Sequence, residues 1–366
     1  MTIALFIVLP FILTFALFGV YAERKVSAFI QNRVGPMVTG PYGLLQTLAD
    51  IVKLLTKEDT RPAAADKPLF QLAPVVVFTS IFAGFAIIPF APNFVGSAAA
   101  VGVFYMMAII SMDVIGILMA GWGSNNKYGL YGAMRSAAQM ISYEVPLSLT
   151  ILCPVMISQT LDLQEMSMQQ GIFSAQLLNA DPNYLFGLKF LNINVTEVGG
   201  FLTWNIFRSP FLFFAFVIFF VASLAEANRT PFDLPESESE LIAGYIVEYS
   251  GMRFAFLMLS EYGMMLLASL LASILFLGSW NTPLPNIGSV RLADWTSGVV
   301  GEVSGYAWGA FWLISKAFTL VFFQMLARWT YPRLRIDQLM ALCWKYLTPM
   351  ALVLVLISAV WRLMMI

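Results

Sequence analysis

Six acidic residues crowd one short stretch of the chain: Glu226, Asp233, Glu236, Glu238, Glu240 and Glu248, with Arg229 the only base among them. Pro235 suits the first position of a helix, and Glu236 and Glu238 in its first turn complement the helix dipole. Capping of that kind accounts for one or two of these carboxylates and leaves the others without a local reason. Glu236 and Glu240 share a helical face, where like charges repel. Carboxyls held close together release their last proton reluctantly, so the cluster could store one. A solvated acidic loop is the competing reading.

Four further ionisable residues, Asp113, Glu144, Glu261 and Lys316, interrupt long apolar segments. Each costs about 2.5–3.5 kcal/mol at the centre of a membrane helix. Such residues usually face a bundle interior and mark the path of an ion or proton. A carboxyl reduces the cost by holding a proton. A Glu144–Lys316 pair that only locks two helices together would look similar, and Asp113 could sit hydrated at a boundary. Three acids with one base, next to a second acidic group, favour a proton path. Phe, Met and Trp at helical spacing suit packing or lipid contact, and a tunnel for an isoprenoid tail would show the same bias.

The elements that must position these groups are membrane helices. Of 366 residues, 59% are hydrophobic and only 11% charged. Mean hydropathy is +0.79. A soluble domain carries about a quarter charged residues. The run from Leu69 to Met112 has no charge at all, enough for two spans at about 20 residues each. Thr2 to Ala22 is uncharged and followed by Glu23-Arg24-Lys25, the reverse of a cleavable signal peptide, so it reads as a retained first span. Further apolar segments lie near 70–90, 98–122, 135–160, 208–226, 253–279, 305–327 and 341–362. The expectation is an all-α polytopic membrane protein, one membrane domain over 1–366 with eight transmembrane helices.

Two absences limit the chemistry. With no His in the chain, bis-His haem and His-based zinc or copper sites cannot form within it. Cys153 and Cys343 are distant in sequence and embedded in apolar segments, which suits small hydrophobes rather than a cluster or a disulfide. Redox groups, if involved, belong to other chains. A net charge of −1 gives no argument for nucleic acid.

Most of the 20 Lys and Arg residues fall in the loops after spans 1, 3, 5 and 7. The opposite loops hold Lys189, Arg208, Arg291 and Arg362. The positive-inside rule then places both termini outside. Within the inside loop 23–69, Leu44, Leu45, Leu48, Ile51, Val52 and Leu55 recur at helical spacing, with Gln46, Asp50, Lys53 and Lys57 on the other face. The pattern predicts an amphipathic helix over about 44–57, too short and too charged to span, lying in the interface on the cytoplasmic side. It is either a space-filling surface helix or the wall of an opening between headgroups and a partner. Gly35-Pro36 and Gly40-Pro41 bend the chain before it.

Several inside-face strings together resemble the quinone-site membrane subunit of respiratory complex I, the NADH:quinone oxidoreductases. They are Glu23-Arg24-Lys25, Arg33-Val34-Gly35-Pro36, GPYGLLQTLADIVKLLTKED at 40–59, AGWGSNNKYGLYGAMRSAAQMISYE at 120–144, AEANRTPFDLPESESELIAGYIVEYSGMRFAFLMLSEY at 225–262, PRLRIDQLM at 332–340 and Trp344-Lys345. They keep their order and spacing from the first span to the last.

That resemblance implies an eight-helix subunit in a bacterial inner membrane that forms the membrane portal of a quinone chamber. Ubiquinone or menaquinone would be the substrate, with FMN and iron–sulfur clusters confined to hydrophilic partner subunits. Small and antiporter-like membrane subunits would be the other partners. On this reading Arg24, Lys25 and Arg33 lie near the portal, and Asp50 and Lys53 project from the interfacial helix. Arg229, Phe232 and Asp233 touch the quinone cavity. Glu226, Glu236, Glu238, Glu240 and Glu248 begin an acidic channel that Glu144 and Glu261 continue, while Arg333, Arg335 and Asp337 dock the hydrophilic arm. The chain departs from the family pattern at Met37-Val38-Thr39 and in a long outside loop near 160–207, and Asp113 matches no family position. An equivalent subunit of a membrane-bound hydrogenase or a ferredoxin- or F420-linked complex would share the fold. A stand-alone proton-coupled transporter often shows repeated halves, and no repeat is evident here.

Overall fold

The computed structural model describes residues 9–172, 174, 184–187, 194–235, 238–287, 290–298 and 302–365. The fold is mostly helical. The principal helices are α1 (Leu9–Ile30), α2 (Gln46–Thr56), α3 (Lys67–Gly84), α4 (Gly102–Ile110), α5 (Met112–Gly123), α6 (Lys127–Ser158), α7 (Pro210–Glu226), α8 (Gly251–Leu275), α9 (Val303–Thr330), α10 (Ile336–Ala341) and α11 (Thr348–Met365). The strands form two short antiparallel hairpins, Pro89–Ala91 with Phe94–Val95 and Asn286–Ile287 with Val290–Arg291.

Among the described residues, six stretches are long and apolar enough to cross a membrane: Lys67–Ile87, Gly102–Gly123, Lys127–Ser158, Gly251–Leu275, Val303–Thr330 and Ile336–Met364. This is a multi-pass membrane protein. α4 and α5 stack end to end in the second of these stretches, and α10, a turn of π-helix at Leu342–Leu347 and α11 make up the last. α7 is apolar but has 17 residues. The segment expected to open the first span begins in residues 1–8, outside the described residues.

Local sequence sets the helix ends. Asn126 caps α6 by accepting from the Tyr128 backbone N–H at 2.9 Å. Gln159 closes α6 in the left-handed conformation, φ 57°. Pro210 opens α7 at a position where its missing N–H costs no helical hydrogen bond.

Small residues let the helices approach closely, as packing within a membrane favours. A Cβ on Gly116 would lie 2.5 Å from Val77 Cγ2, so α5 lies directly on α3. A Cβ on Gly132 would lie 2.6 Å from Gly244 Cα, which presses α6 onto the backbone of the 241–250 connection. α8 is the central helix: every residue from Ser260 to Leu275 is buried. Around it the core joins Phe15, Phe85, Tyr143, Phe219 and Phe276. Large apolar side chains such as Phe213, Phe214 and Leu356 face outward, where lipid would cover them.

The connections after α1, α5, α7 and α9 meet at one end of the bundle. Asn125 Nδ2 donates to Ala64 O at 3.0 Å, Thr60 N to Ser250 Oγ at 3.0 Å and Leu334 N to Pro231 O at 3.2 Å.

Candidate functional site: a charged cavity beside buried carboxylates

A cavity of about 690 Å³ opens where α1, α2, α8 and α9 meet. Leu13, Leu17, Ile51, Leu54, Phe256 and Met258 give it apolar walls, and Glu23, Arg24, Arg33, Asp50, Tyr262 and Arg328 are among its polar groups. α2 and α8 pack together and both contribute to its wall. The α2 residues Leu48, Ile51, Val52 and Leu55 are exposed in the isolated chain.

Glu23 lies at the centre of the polar wall, with only 5% of its surface exposed. Its carboxylate accepts from Tyr262 Oη at 2.5 Å, from Arg229 Nη1 at 3.4 Å and from Arg328 Nη1. The Arg229 guanidinium also lies over the Tyr262 ring, 4.3 Å from its centroid. Three donors on one anion compensate its removal from water, which an isolated carboxylate could not tolerate. Sequence reasoning selected Arg229 but not Glu23, Tyr262 or Arg328. The missed signal is periodic: Ile12, Phe15, Ala16, Gly19, Glu23 and Ser27 form one buried stripe of α1, at helical spacing.

The basic residues expected near a portal divide into two groups. Arg24 reaches from α1 to Asp50 of α2 at 2.6 Å, and Gln46 Nε2 donates to the same carboxylate at 3.3 Å. Lys25 instead donates to Pro36 O at 2.7 Å and lines a neighbouring groove with Phe29 and Met37. Arg33 lines both hollows and donates to Gln31 Oε1 at 2.7 Å. Lys53 is exposed and lies outside the cavity wall.

The loop after α7 carries Phe232 and Asp233 inward. Gln139 of α6 holds it by donating from Nε2 to Ala225 O and Phe232 O, both at 2.8 Å. Phe232 is buried edge-on against Tyr143, with ring centres 5.3 Å apart. Asp233 is buried and paired with Arg333 at 3.0 Å. Burial pushes its carboxyl above the ordinary Asp range, against the opposing pull of Arg333, Arg328 and Arg229.

Four of the selected acids join Asp233 in a continuous set. Asp233 and Asp113 each lie within electrostatic reach of Glu261, and Glu226 lies within reach of Asp113 and Glu144. Glu226, Asp113 and Glu261 are buried, and Glu144 is half-buried. Tyr245 Oη donates to Glu261 at 3.2 Å. Glu226 Oε2 and Asp113 Oδ1 are buried without a hydrogen-bond partner among the described residues. Asp113 therefore belongs with the other acids rather than at a hydrated boundary.

The remaining acids stand apart from this set or lie outside the described residues. Asn126 Nδ2 donates to Glu248 at 2.7 Å. Glu240 is more than half exposed and paired with Arg135 at 2.6 Å. Glu236 and the Glu238 side chain lie outside the described residues. Lys316 does not pair with Glu144. Its ammonium donates to Leu277 O at 2.7 Å, Ser279 O at 2.9 Å and Asn281 O at 2.6 Å, with the Trp204 ring beneath it at 4.4 Å.

Fold and site together define a polytopic helical membrane protein whose apolar cavity adjoins a set of buried carboxyls. The chain belongs to the NADH dehydrogenase family, whose model matches residues 2–359. It is 61% identical over 356 residues, 97% of each chain, to a protein of Cytophaga hutchinsonii named as an H subunit, the second of that name, of NADH-quinone oxidoreductase. Proteins of Chlorobium luteolum and Chlorobaculum tepidum, each named as the H subunit of NADH-quinone oxidoreductase, are 51% and 52% identical, covering 97% and 96% of this chain and 87% and 90% of their own.

Proposed function

We propose that this chain is the membrane subunit of a proton-translocating NADH:quinone oxidoreductase, forming the bilayer mouth of the quinone chamber and receiving released energy in its buried acids. The observation that carries the reading is adjacency. Arg229 contacts Glu23 on the cavity wall, and Asp233, four residues on, lies within electrostatic reach of Glu261 in the carboxylate set. A quinone head changes charge as it gains electrons and protons, so a group bound in the cavity would perturb Glu23 directly and Arg229 through it. The Asp233, Glu261, Asp113, Glu226 and Glu144 carboxyls offer successive proton sites from there into the bundle.

In this reading α1 and α7 complete eight spans, both termini face the periplasm of a bacterial inner membrane, and α2 lies in the cytoplasmic interface. The apolar walls take the isoprenoid tail of ubiquinone or menaquinone. Hydrophilic subunits carrying FMN and iron–sulfur clusters dock over Arg333, Arg335 and Asp337, and antiporter-like subunits accept the proton signal laterally. Glu236, Glu238, Glu240 and Glu248 begin the acidic channel.

Filling the cavity tests this reading. In the assembled complex, Ala255→Trp, at a position on the cavity wall, should reduce NADH:quinone turnover while NADH oxidation by ferricyanide, which bypasses the membrane arm, stays at the wild-type rate. Unchanged quinone turnover would remove the chamber assignment. Copurification of a nickel–iron subunit would reassign the chain to a hydrogenase-type complex.

A further inference from the structure

At the other end of α7, far from the carboxylates, cationic and hydroxyl groups meet without an anion among the described residues. Arg208 precedes the helix, and its Nη1 is buried with no hydrogen-bond partner. Ser209 is fully buried; its Oγ also lacks a partner and does not cap α7. On the last turns of α11, Arg362 donates from Nη2 to Gln159 Oε1 at 3.2 Å, yet its Nε is buried and unpartnered. The two guanidinium groups lie within electrostatic reach of each other. The Phe211 and Trp361 rings, one helix turn or less away, meet edge-on at 5.5 Å and hold these helix ends together.

Two like charges held near each other with unfilled donors are costly in a dry setting. An anion there would satisfy the donors and cancel the repulsion, and the positive end of the 17-residue α7 adds to its attraction. Guanidinium forks match phosphate oxygens especially well. The adjoining turns present exposed Phe213, Phe214, Val360 and Leu363, a surface suited to acyl chains. We propose that Arg208, Ser209 and Arg362 bind the phosphodiester of an anionic phospholipid at the bundle end opposite the acidic set. A zwitterionic headgroup would bring its ammonium towards two arginines.

Native mass spectrometry of the detergent-purified chain, supplied with phosphatidylglycerol and phosphatidylcholine in equal amounts, tests the assignment. Wild type should retain phosphatidylglycerol preferentially. Arg362→Gln and Arg208→Gln should each weaken that retention about tenfold, the effect of losing one charge-assisted contact. Should Arg208→Gln fail to fold, Arg362→Gln decides, because its side chain is half-exposed. Equal retention by wild type and Arg362→Gln overturns the site. Equal retention of both lipids overturns the headgroup preference. Inorganic phosphate binding as tightly as phosphatidylglycerol would assign the arginines to a free anion and overturn the lipid.

Discussion

Tyr262 donates its hydroxyl proton to Glu23 at 2.5 Å, joining the central helix to α1 at the polar wall of the cavity. Both side chains line the same hollow, and Glu23 also takes two arginines. The tyrosine is the only neutral donor among the three, so it adds a directed contact to the anion without adding charge.

Removing that hydroxyl is the mildest perturbation of the wall. Tyr262→Phe keeps the ring beneath Arg229 and deletes one hydrogen bond to a charged group, a loss of about 1.5–3 kcal/mol. Quinone-linked turnover in membranes should fall about tenfold, while assembly, measured by the amount of complex on native gels, stays near wild type. Wild-type turnover would show that the Glu23–Tyr262 contact is only packing.

The Glu226 carboxyl, whose Oε2 has no hydrogen-bond partner among the described residues, separates proton transfer from structure. Glu226→Gln keeps its shape and removes an ionisable group from a buried, acid-rich site. The variant should assemble and melt no lower than wild type, and reconstituted vesicles should lose acidification per NADH oxidised. Glu240→Gln, at an exposed ion pair, should lower turnover and pumping together and by less. The reverse ranking would move the proton store to the surface loop.

Lys316 gives a contrasting expectation. Its three carbonyl contacts fasten the 277–282 turn to α9, and among the described residues no carboxylate is one of the charges acting on it. Lys316→Met should cost on the order of 3 kcal/mol by leaving buried carbonyls unpaired, seen as a lower thermal midpoint. The fraction that does assemble should keep its ratio of protons pumped to NADH oxidised. A collapsed ratio would place Lys316 on the proton route.

Asp233 links stability to pH. Burial raises its folded-state affinity for a proton above the ordinary Asp value of 3.8. The protonated form is therefore the better accommodated one. Its contribution is fully present below that ordinary value and is lost as pH rises through the raised folded value. Asp233→Asn, always neutral, should gain thermal stability relative to wild type between acid and neutral pH. A difference that stays flat or shrinks over that range would show that the Arg333 pair outweighs burial.

The sequence makes most of the acids legible because a charge inside an apolar run is conspicuous. Asp113, Glu144, Glu261 and Lys316 stand out for that reason, yet hydropathy cannot say which of them meet. A Lys316–Glu144 lock is one reading of those charges, and folding instead sends the lysine to backbone carbonyls of the turn around Gly278 and Ser279. Asp113 matched no motif, and its grouping with Glu261 and Glu226 arises only from the packing of α5, α7 and α8 about α6. Glu23 was hidden differently: it sits in a charged triplet that reads as the end of a span. Only the stripe it shares with Phe15 and Gly19 reveals that it is buried in the bundle, while Arg24 stays exposed on its Asp50 bridge and Lys25 reaches Pro36.

The Arg24–Asp50 bridge has a kinetic consequence. Both ends remain open to water, with 44% and 34% of their side chains exposed, so mobile ions can weaken the pair. A gate latched by such a contact would loosen as electrolyte rises, letting a bulky amphiphile pass α2 more freely in brine than in dilute buffer.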